Sequence, residues 1–181
     1  MKTVVLGPRP PELEAIVARR HALGQDRFDE VWEGNYHMAP TLHLWHAYLG
    51  GKLAVILQSH AARAGLHYTG AFNLGEPDNY RVPDAGLHRS LPNVAFVPTA
   101  AMVIEIVSPG DESWEKFDHF AAHGVAEVLI VDPVEATIAI FVRRGDAYER
   151  ADSSELLRVS AAQLQESITW PSDSVAGPAT G

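Results

Sequence analysis

Three residues of this chain have the types and the context for metal-assisted chemistry: Asp84, Glu105 and Lys116. Glu105 lies in the middle of an apolar run at 101–107, where an unpartnered carboxylate would be costly to bury. Asp84 follows Pro83 at the end of an earlier strand-like stretch, and Lys116 is one of only three lysines in the sequence. Two carboxylates beside an ammonium form the set that can hold a hard divalent cation next to an activated water.

The segment around Glu105 has the pattern of two neighbouring strands joined by a crossover helix. A second apolar run, Val128–Val131, follows the first after a helical stretch, and uninterrupted apolar runs are typical of strands covered on both faces. The number of residues between Asp84 and Glu105 suits two adjacent strands joined by a hairpin-like connection. We therefore expect both carboxylates to point to one side of the sheet, with Lys116 arriving from the helix that follows.

That helix is predicted over residues 112–123, with Asp111 as its N-cap and Gly124 in the left-handed position after its end. Lys116 borders the apolar face, from which a long side chain can carry its ammonium to the sheet. Glu112, four residues earlier, can instead hold Lys116 in an outward pose. The apolar face itself is formed by packing residues: Trp114, Phe117, Phe120 and Ala121.

The remaining patterns predict an α/β or α+β fold, with a mixed sheet flanked by helices. We expect a single domain over residues 1–171 and a disordered tail over residues 172–181, which is rich in small and polar residues. The other predicted elements are a helix from Pro10 to Gly24, a strand pair at 28–38 turning at Gly34, a long helix at 41–64, strands at 66–74 and 80–88, a hairpin at 137–149 and a helical segment at 160–166.

Composition excludes several classes of protein. There is no cysteine, so neither a disulfide framework nor a thiolate metal site is available. No apolar run is long enough for a signal peptide or a membrane span, which predicts a cytoplasmic protein that does not contact a membrane. The net charge of −9 opposes nonspecific attraction to nucleic acid over the whole surface.

An ordered set of motifs resembles the Uma2 (DUF820-like) family of restriction endonuclease-like proteins, in the PD-(D/E)XK nuclease superfamily. The resemblance covers roughly Phe28 to Pro171. It is carried by the sequences VPD (82–84), IEIVSP (104–109) and EVLIVDP (127–133), together with Lys116, Phe120, Gly124 and Val125. Each motif is weak alone, whereas their order and spacing are fairly specific.

The resemblance implies a restriction-endonuclease-like fold and a metal-dependent endonuclease acting on DNA, with Asp84, Glu105 and Lys116 as catalytic residues. It implies Mg²⁺ or Mn²⁺ held by Asp84, Glu105 and the carbonyl of Ile106. Many superfamily members carry the lysine two residues after the glutamate, where this chain has Val107, and the family places it on the next helix. The resemblance also implies a third carboxylate, from Glu30 or Glu33, although this chain has Asn35 where the family usually has an acid. It further implies a histidine at the start of the long helix, which is matched by His43 or, less well, by His46.

Several interpretations remain open from the sequence. Spacing alone does not separate a structural Glu105–Lys116 ion pair from a catalytic pair. Glu30 and Glu33 are expected to be solvent-exposed on their hairpin unless one of them joins the metal. His119 and His123 have the spacing of a shared zinc site but lack the intervening glutamate, and we expect them to be exposed.

The function is likewise open between classes. A nuclease-fold binding or assembly module without turnover is the main alternative to the endonuclease, and a metallohydrolase of small phosphoesters is a third. A homodimer is expected for the endonuclease, because cleavage of both DNA strands needs two sites.

Overall fold

The computed structural model describes residues 3–5, 11–39, 43–108 and 112–170. Several predicted features lie outside these ranges: the tail at 172–181, the cap Asp111, the turn residues Pro109 and Gly110, and the first positions of the long helix. The helices are α1 (Pro11–Ala22), α2 (Leu44–Arg63), α3 (Phe117–Ala122) and α4 (Ala161–Glu166). The strands are β1 (Thr3–Val5), β2 (Glu30–Trp32), β3 (Asn35–Met38), β4 (His67–Thr69), β5 (Asn73–Glu76), β6 (Asn79–Arg81), β7 (Ala85–His88), β8 (Phe96–Val97), β9 (Met102–Ile106), β10 (Glu127–Asp132), β11 (Thr137–Arg144), β12 (Ala147–Ala151), β13 (Ser153–Ser154) and β14 (Val159–Ser160).

The predicted crossover is confirmed, since β9 and β10 pair in parallel and α3 lies between them along the chain. They are the central strands of a six-stranded mixed sheet with the order β12-β11-β10-β9-β7-β4, which we call the central sheet. The remaining neighbours in this sheet pair antiparallel, including the predicted β11–β12 hairpin.

A second six-stranded sheet, with the order β1-β3-β2-β6-β5-β8, is here called the outer sheet. The sequence predicted one mixed sheet, so the division into two is a feature that the patterns did not reveal. β2 and β3 form the predicted hairpin, whose two turn residues, Glu33 and Gly34, both have positive φ angles, as tight hairpin turns require.

The core lies on both faces of the central sheet, because side chains alternate along each strand. One face packs against α2 and α4, through residues that include Leu49, Leu53 and Leu57 of α2 and Met102, Ile104 and Ile106 of β9. The other face meets α3 and the outer sheet, through Val103, Phe120, Val128, Ile130 and Leu74. The central strands are therefore covered on both sides, as their uninterrupted apolar runs predicted.

A buried carboxylate, Asp29, joins α1 to the β2–β3 hairpin. It accepts two hydrogen bonds from the guanidinium of Arg20, at 2.8 and 2.7 Å, and one from the hydroxyl of Tyr36 at 2.6 Å. The side chains of Leu13 and Val17 pack on the same hairpin. Because every oxygen of Asp29 is engaged, its burial is compensated by hydrogen bonds and charge.

None of the helices in the described part of the chain combines the length and the apolar character needed to cross a membrane.

Truncating the core face of α2 should destabilise the fold much more than truncating its solvent face. Leu53 is fully buried whereas Val55 is 76% exposed. We expect Leu53→Ala to lower the free energy of unfolding by about 2–5 kcal/mol. Val55→Ala, the control on the same helix, should change it by less than about 0.5 kcal/mol. Urea denaturation followed by circular dichroism measures both, and equal effects would contradict this packing of α2.

Candidate active site

Glu105 points away from the α2 side of the central sheet because of its position in β9. Met102, Ile104 and Ile106 occupy the α2 face, so Val103 and Glu105 lie on the opposite face, toward α3 and the outer sheet. Glu105 is buried, and its neighbour on the parallel strand β10 is Ile130. A carboxylate in this apolar setting requires a cation or several hydrogen bonds.

Asp84 lies where the chain passes from the outer sheet to the central sheet. It directly precedes β7, whose first residue, Ala85, pairs with Ile104 of β9. Extending this antiparallel register by one position places Asp84 opposite Glu105, on the same face. The Oδ2 atom of Asp84 accepts a hydrogen bond from the backbone amide of Ile106 at 2.7 Å. The two carboxylates therefore share one face of adjacent strands, as the sequence predicted.

The positive charge beside the buried Glu105 is the ammonium group of Lys116. Its Nζ atom lies 3.1 Å from Oε1 of Glu105 and 2.9 Å from Oε1 of Glu30, and the lysine is buried. Helix α3 begins at Phe117, five residues later than predicted, so Lys116 occupies the N-cap position rather than the middle of a helix. The alternative outward pose beside Glu112 is not adopted, and Glu112 contacts Nδ1 of His37 at 3.3 Å.

Glu30 is the third carboxylate of this cluster, and the expectation that it would be solvent-exposed was wrong. It is only 5% exposed, because its face of β2 is turned toward the central sheet. Besides contacting Lys116, its Oε1 accepts a hydrogen bond from the backbone amide of Val82 at 2.8 Å. Its Oε2 accepts one from the indole N–H of Trp32 at 2.6 Å.

Glu33 lies elsewhere: its side chain is 75% exposed and contacts Arg81 at 3.3 Å. The two helix-start histidines also separate. His43 is the N-cap of α2, exposed, with Nδ1 accepting from the amide of Trp45 at 3.3 Å. His46, the poorer match by sequence, places Nε2 at 3.0 Å from Oδ2 of Asp84. The structure therefore brings His46, and not His43, to the carboxylates.

The electrostatics of the cluster differ from one carboxylate to the next. Burial raises the pKa of Glu105 well above its usual range, and the charges of Asp84 and Glu30 raise it further, against the opposing effect of Lys116. Burial also works against ionisation of Glu30, but Lys116 and the hydrogen bonds from Val82 and Trp32 outweigh it and leave the pKa of Glu30 below its usual value. Burial lowers the pKa of Lys116, yet its three acidic neighbours outweigh this and raise it, so the amine stays protonated.

The cluster combines three carboxyl groups with one ammonium: Glu30 and Glu105 contact Lys116, and the charge of Asp84 acts on both Glu105 and Lys116. Within the described residues, no group of three or more acidic or histidine side chains is arranged so that it could hold a metal ion. The metal site of Asp84, Glu105 and the Ile106 carbonyl therefore stays a prediction. Sequence reasoning did not foresee that Ile106 also contributes its amide, which orients Asp84.

One further histidine departs from its prediction. His119 was expected to be exposed, but it is only 7% exposed and its Nε2 lies 3.0 Å from the carbonyl oxygen of Leu74. Burial lowers the pKa of His119 to about 4, so the ring is neutral at pH 7 and donates to that carbonyl. The outer sheet, which sequence patterns did not place here, covers this side of α3. His119 therefore joins α3 to β5.

Comparisons with known proteins agree with this architecture. The model of the family described as Uma2, putative restriction endonuclease, matches residues 19–170. A crystal structure described as a putative nuclease belonging to DUF820 from Anabaena variabilis is similar, with a TM-score of 0.63 and 16% sequence identity. The alignment covers 77% of this chain and 90% of that chain, which confirms the predicted α/β (α+β) restriction-endonuclease-like fold. No curated protein matches this sequence.

The raised pKa of Glu105 predicts how the stability of the metal-free protein depends on pH. A carboxyl whose pKa is higher in the folded state contributes stability below its unfolded value, near 4.5, and that contribution is lost as the pH rises through the folded value. In EDTA, Glu105→Gln should therefore be more stable than the wild type at pH 7–8, because glutamine mimics the protonated acid. Urea denaturation between pH 5 and 8 measures this, and a variant less stable than the wild type at pH 8 would contradict the assignment.

Proposed function

Because this chain belongs to the Uma2 family of putative restriction endonucleases, we propose that it is a metal-dependent endonuclease that hydrolyses phosphodiester bonds in DNA. The observation that carries the proposal is the convergence of Asp84, Glu105 and Lys116, residues far apart in sequence, on one face of the central sheet. An ion pair with a purely structural role would not need Asp84 on the same face.

The donor set suits a hard divalent cation such as Mg²⁺ or Mn²⁺. Asp84 and Glu105 offer carboxylate oxygens from adjacent strands, and the Ile106 carbonyl follows Glu105 directly. Mg²⁺ is commonly held by one or two carboxylates and keeps several of its waters, so a cage of three side chains is not required. When bound, the metal would act as a Lewis acid and lower the pKa of a bound water.

His46 and the amide of Ile106 orient Asp84 for this task. Both contact Oδ2, at 3.0 and 2.7 Å, whereas within the described residues Oδ1 has no such contact. A carboxylate fixed through one oxygen presents the other in a defined direction. Such partners of metal-binding groups commonly tune affinity and activity by 10- to 100-fold.

Lys116 acts as a fixed positive charge. Since its raised pKa keeps the amine protonated, it does not serve as the base that removes a proton from water. Its ammonium instead orients the attacking water and offsets the negative charge that builds on the phosphate during in-line attack. Glu30 holds this ammonium from the outer sheet, opposite Glu105.

DNA as the substrate follows from the family, while the net charge of −9 limits attraction of the polyanion to the surface as a whole. We propose that binding depends on the local site and its metal rather than on a basic surface. A homodimer would supply the two sites needed to cut both strands.

Purified protein should cleave supercoiled plasmid DNA in the presence of Mg²⁺ or Mn²⁺ and lose this activity in EDTA. Glu105→Gln, Asp84→Asn and Lys116→Met should each lower the rate at least about 100-fold, because each removes a charge placed at the reacting phosphate. Lys52→Met, which removes an exposed lysine from α2, is the matched control and should retain wild-type activity.

Three outcomes would overturn the proposal. Equal cleavage by all variants would identify a contaminating nuclease. Metal binding without cleavage of DNA would favour a binding or assembly module. Cleavage of a small phosphodiester such as bis(p-nitrophenyl) phosphate, with no action on DNA, would replace DNA with a small phosphoester as the substrate.

A further inference from the structure

Trp32 contacts the carboxylate that holds Lys116 from the outer sheet. Glu30 and Trp32 are two residues apart in β2 and therefore lie on the same face of the strand. The indole N–H of Trp32 donates to Oε2 of Glu30 at 2.6 Å, which is short for a nitrogen donor. The partners of the other oxygen are the Val82 amide and Lys116. The two oxygens of Glu30 thus have separate partners.

The indole ring itself is held between two side chains. The guanidinium carbon of Arg81 lies 4.2 Å from the centre of the Trp32 ring, within the range of a cation–π interaction. His37 belongs to β3 and Arg81 to β6, the strands on either side of β2 in the outer sheet. The ring of His37 is 4.4 Å from that of Trp32 and tilted by only 13°, so the two rings are stacked. His37, on the neighbouring strand β3, is directly opposite Glu30.

Arg81 and His37, the two side chains that flank the indole ring, are themselves held by further contacts. Arg81 is buried and donates to the carbonyl of Val31 at 3.1 Å and to Glu33 at 3.3 Å. His37 contacts Glu112, which lies four residues before Lys116. A ring held on both faces has little freedom to rotate, so the direction of its N–H is set by the sheet.

We infer that Trp32 is a positioning residue for Lys116 and acts through Glu30. The N–H occupies Oε2 and stabilises the ionised carboxylate, which leaves Oε1 aimed at the ammonium. Without this donor, Glu30 is held only through Oε1, by the Val82 amide and Lys116, so its carboxylate can rotate and its bond to the ammonium weakens. The catalytic consequence rests on the role proposed for Lys116, whereas the effect on the ammonium itself does not.

The effect on the ammonium can be measured by NMR without any assay of activity. The chain has only three lysines, so protein labelled with ¹⁵N-lysine gives a simple spectrum of ammonium groups. A buried ammonium bonded to two carboxylates exchanges its protons slowly, so Lys116 should give a signal that Lys116→Arg lacks. Trp32→Phe keeps an aromatic ring in the sandwich and removes the N–H, and we expect proton exchange at Lys116 to accelerate at least tenfold. Trp114→Phe changes a tryptophan that is 51% exposed, and should leave the signal unchanged.

Kinetics of DNA cleavage provide the second readout. Trp32→Phe should lower kcat by about 10- to 100-fold with little change in KM, as for other groups that orient catalytic residues. If the wild type cleaves no DNA, the proposed function fails, while the exchange measurement still decides whether Trp32 positions Lys116.

A sterically matched analogue covers the case in which Trp32→Phe does not fold. Benzothienylalanine at position 32 preserves the bicyclic shape and lacks only the N–H donor. Faster proton exchange at Lys116 in the folded analogue protein would support the inference. Exchange equal to that of the wild type, or equal acceleration in Trp114→Phe, would overturn it, because the role of Trp32 would then be packing alone.

Discussion

The structure depends on a buried ammonium shared by two carboxylates from different sheets. Lys116 contacts Glu105 of the central sheet and Glu30 of the outer sheet through one nitrogen. Removing the ammonium from such a buried set typically costs about 3–5 kcal/mol, because the carboxylates are left without compensation. The position of the outer sheet and the start of α3 are therefore constrained together by this one contact.

The same constraint explains why the site is acidic. The link from β6 to β7 brings Asp84 beside Glu105, and its Val82 amide is bonded to Glu30. Three carboxyl groups, those of Glu30, Glu105 and Asp84, therefore act on the one ammonium of Lys116. Burial raises the pKa of Glu105, and the charges of Asp84 and Glu30 raise it further. Burial alone does not create such a site, since the buried Glu127 is satisfied by the hydroxyl of Ser154 and the amide of Leu156.

Sequence patterns predicted the central part of the fold because it is built from local signals. Uninterrupted apolar runs predicted β9 and β10, and a carboxylate inside the first run predicted the need for Lys116. The predictions that were wrong concern contacts made by the outer sheet, because the sequences of its strands show no periodic pattern of apolar residues. Glu30 and His119 looked like ordinary exposed residues, and both are buried where the outer sheet meets the central sheet and α3. His46 was ranked below His43 as a match to the family's histidine at the start of the long helix. In the structure His43 precedes α2 as its N-cap, and His46 lies in the first turn, from which it reaches Asp84.

The central claim is that the excess negative charge beside Lys116 is a site for one divalent cation. Calorimetric titration of Mn²⁺ into metal-free protein at pH 7.5 tests it directly, without reference to any substrate. We predict one site per chain, with binding abolished in Asp84→Asn and Glu105→Gln and retained in Glu166→Gln, which removes an exposed carboxylate of α4. No binding by the wild type, or the same binding by all of these variants, would contradict the account.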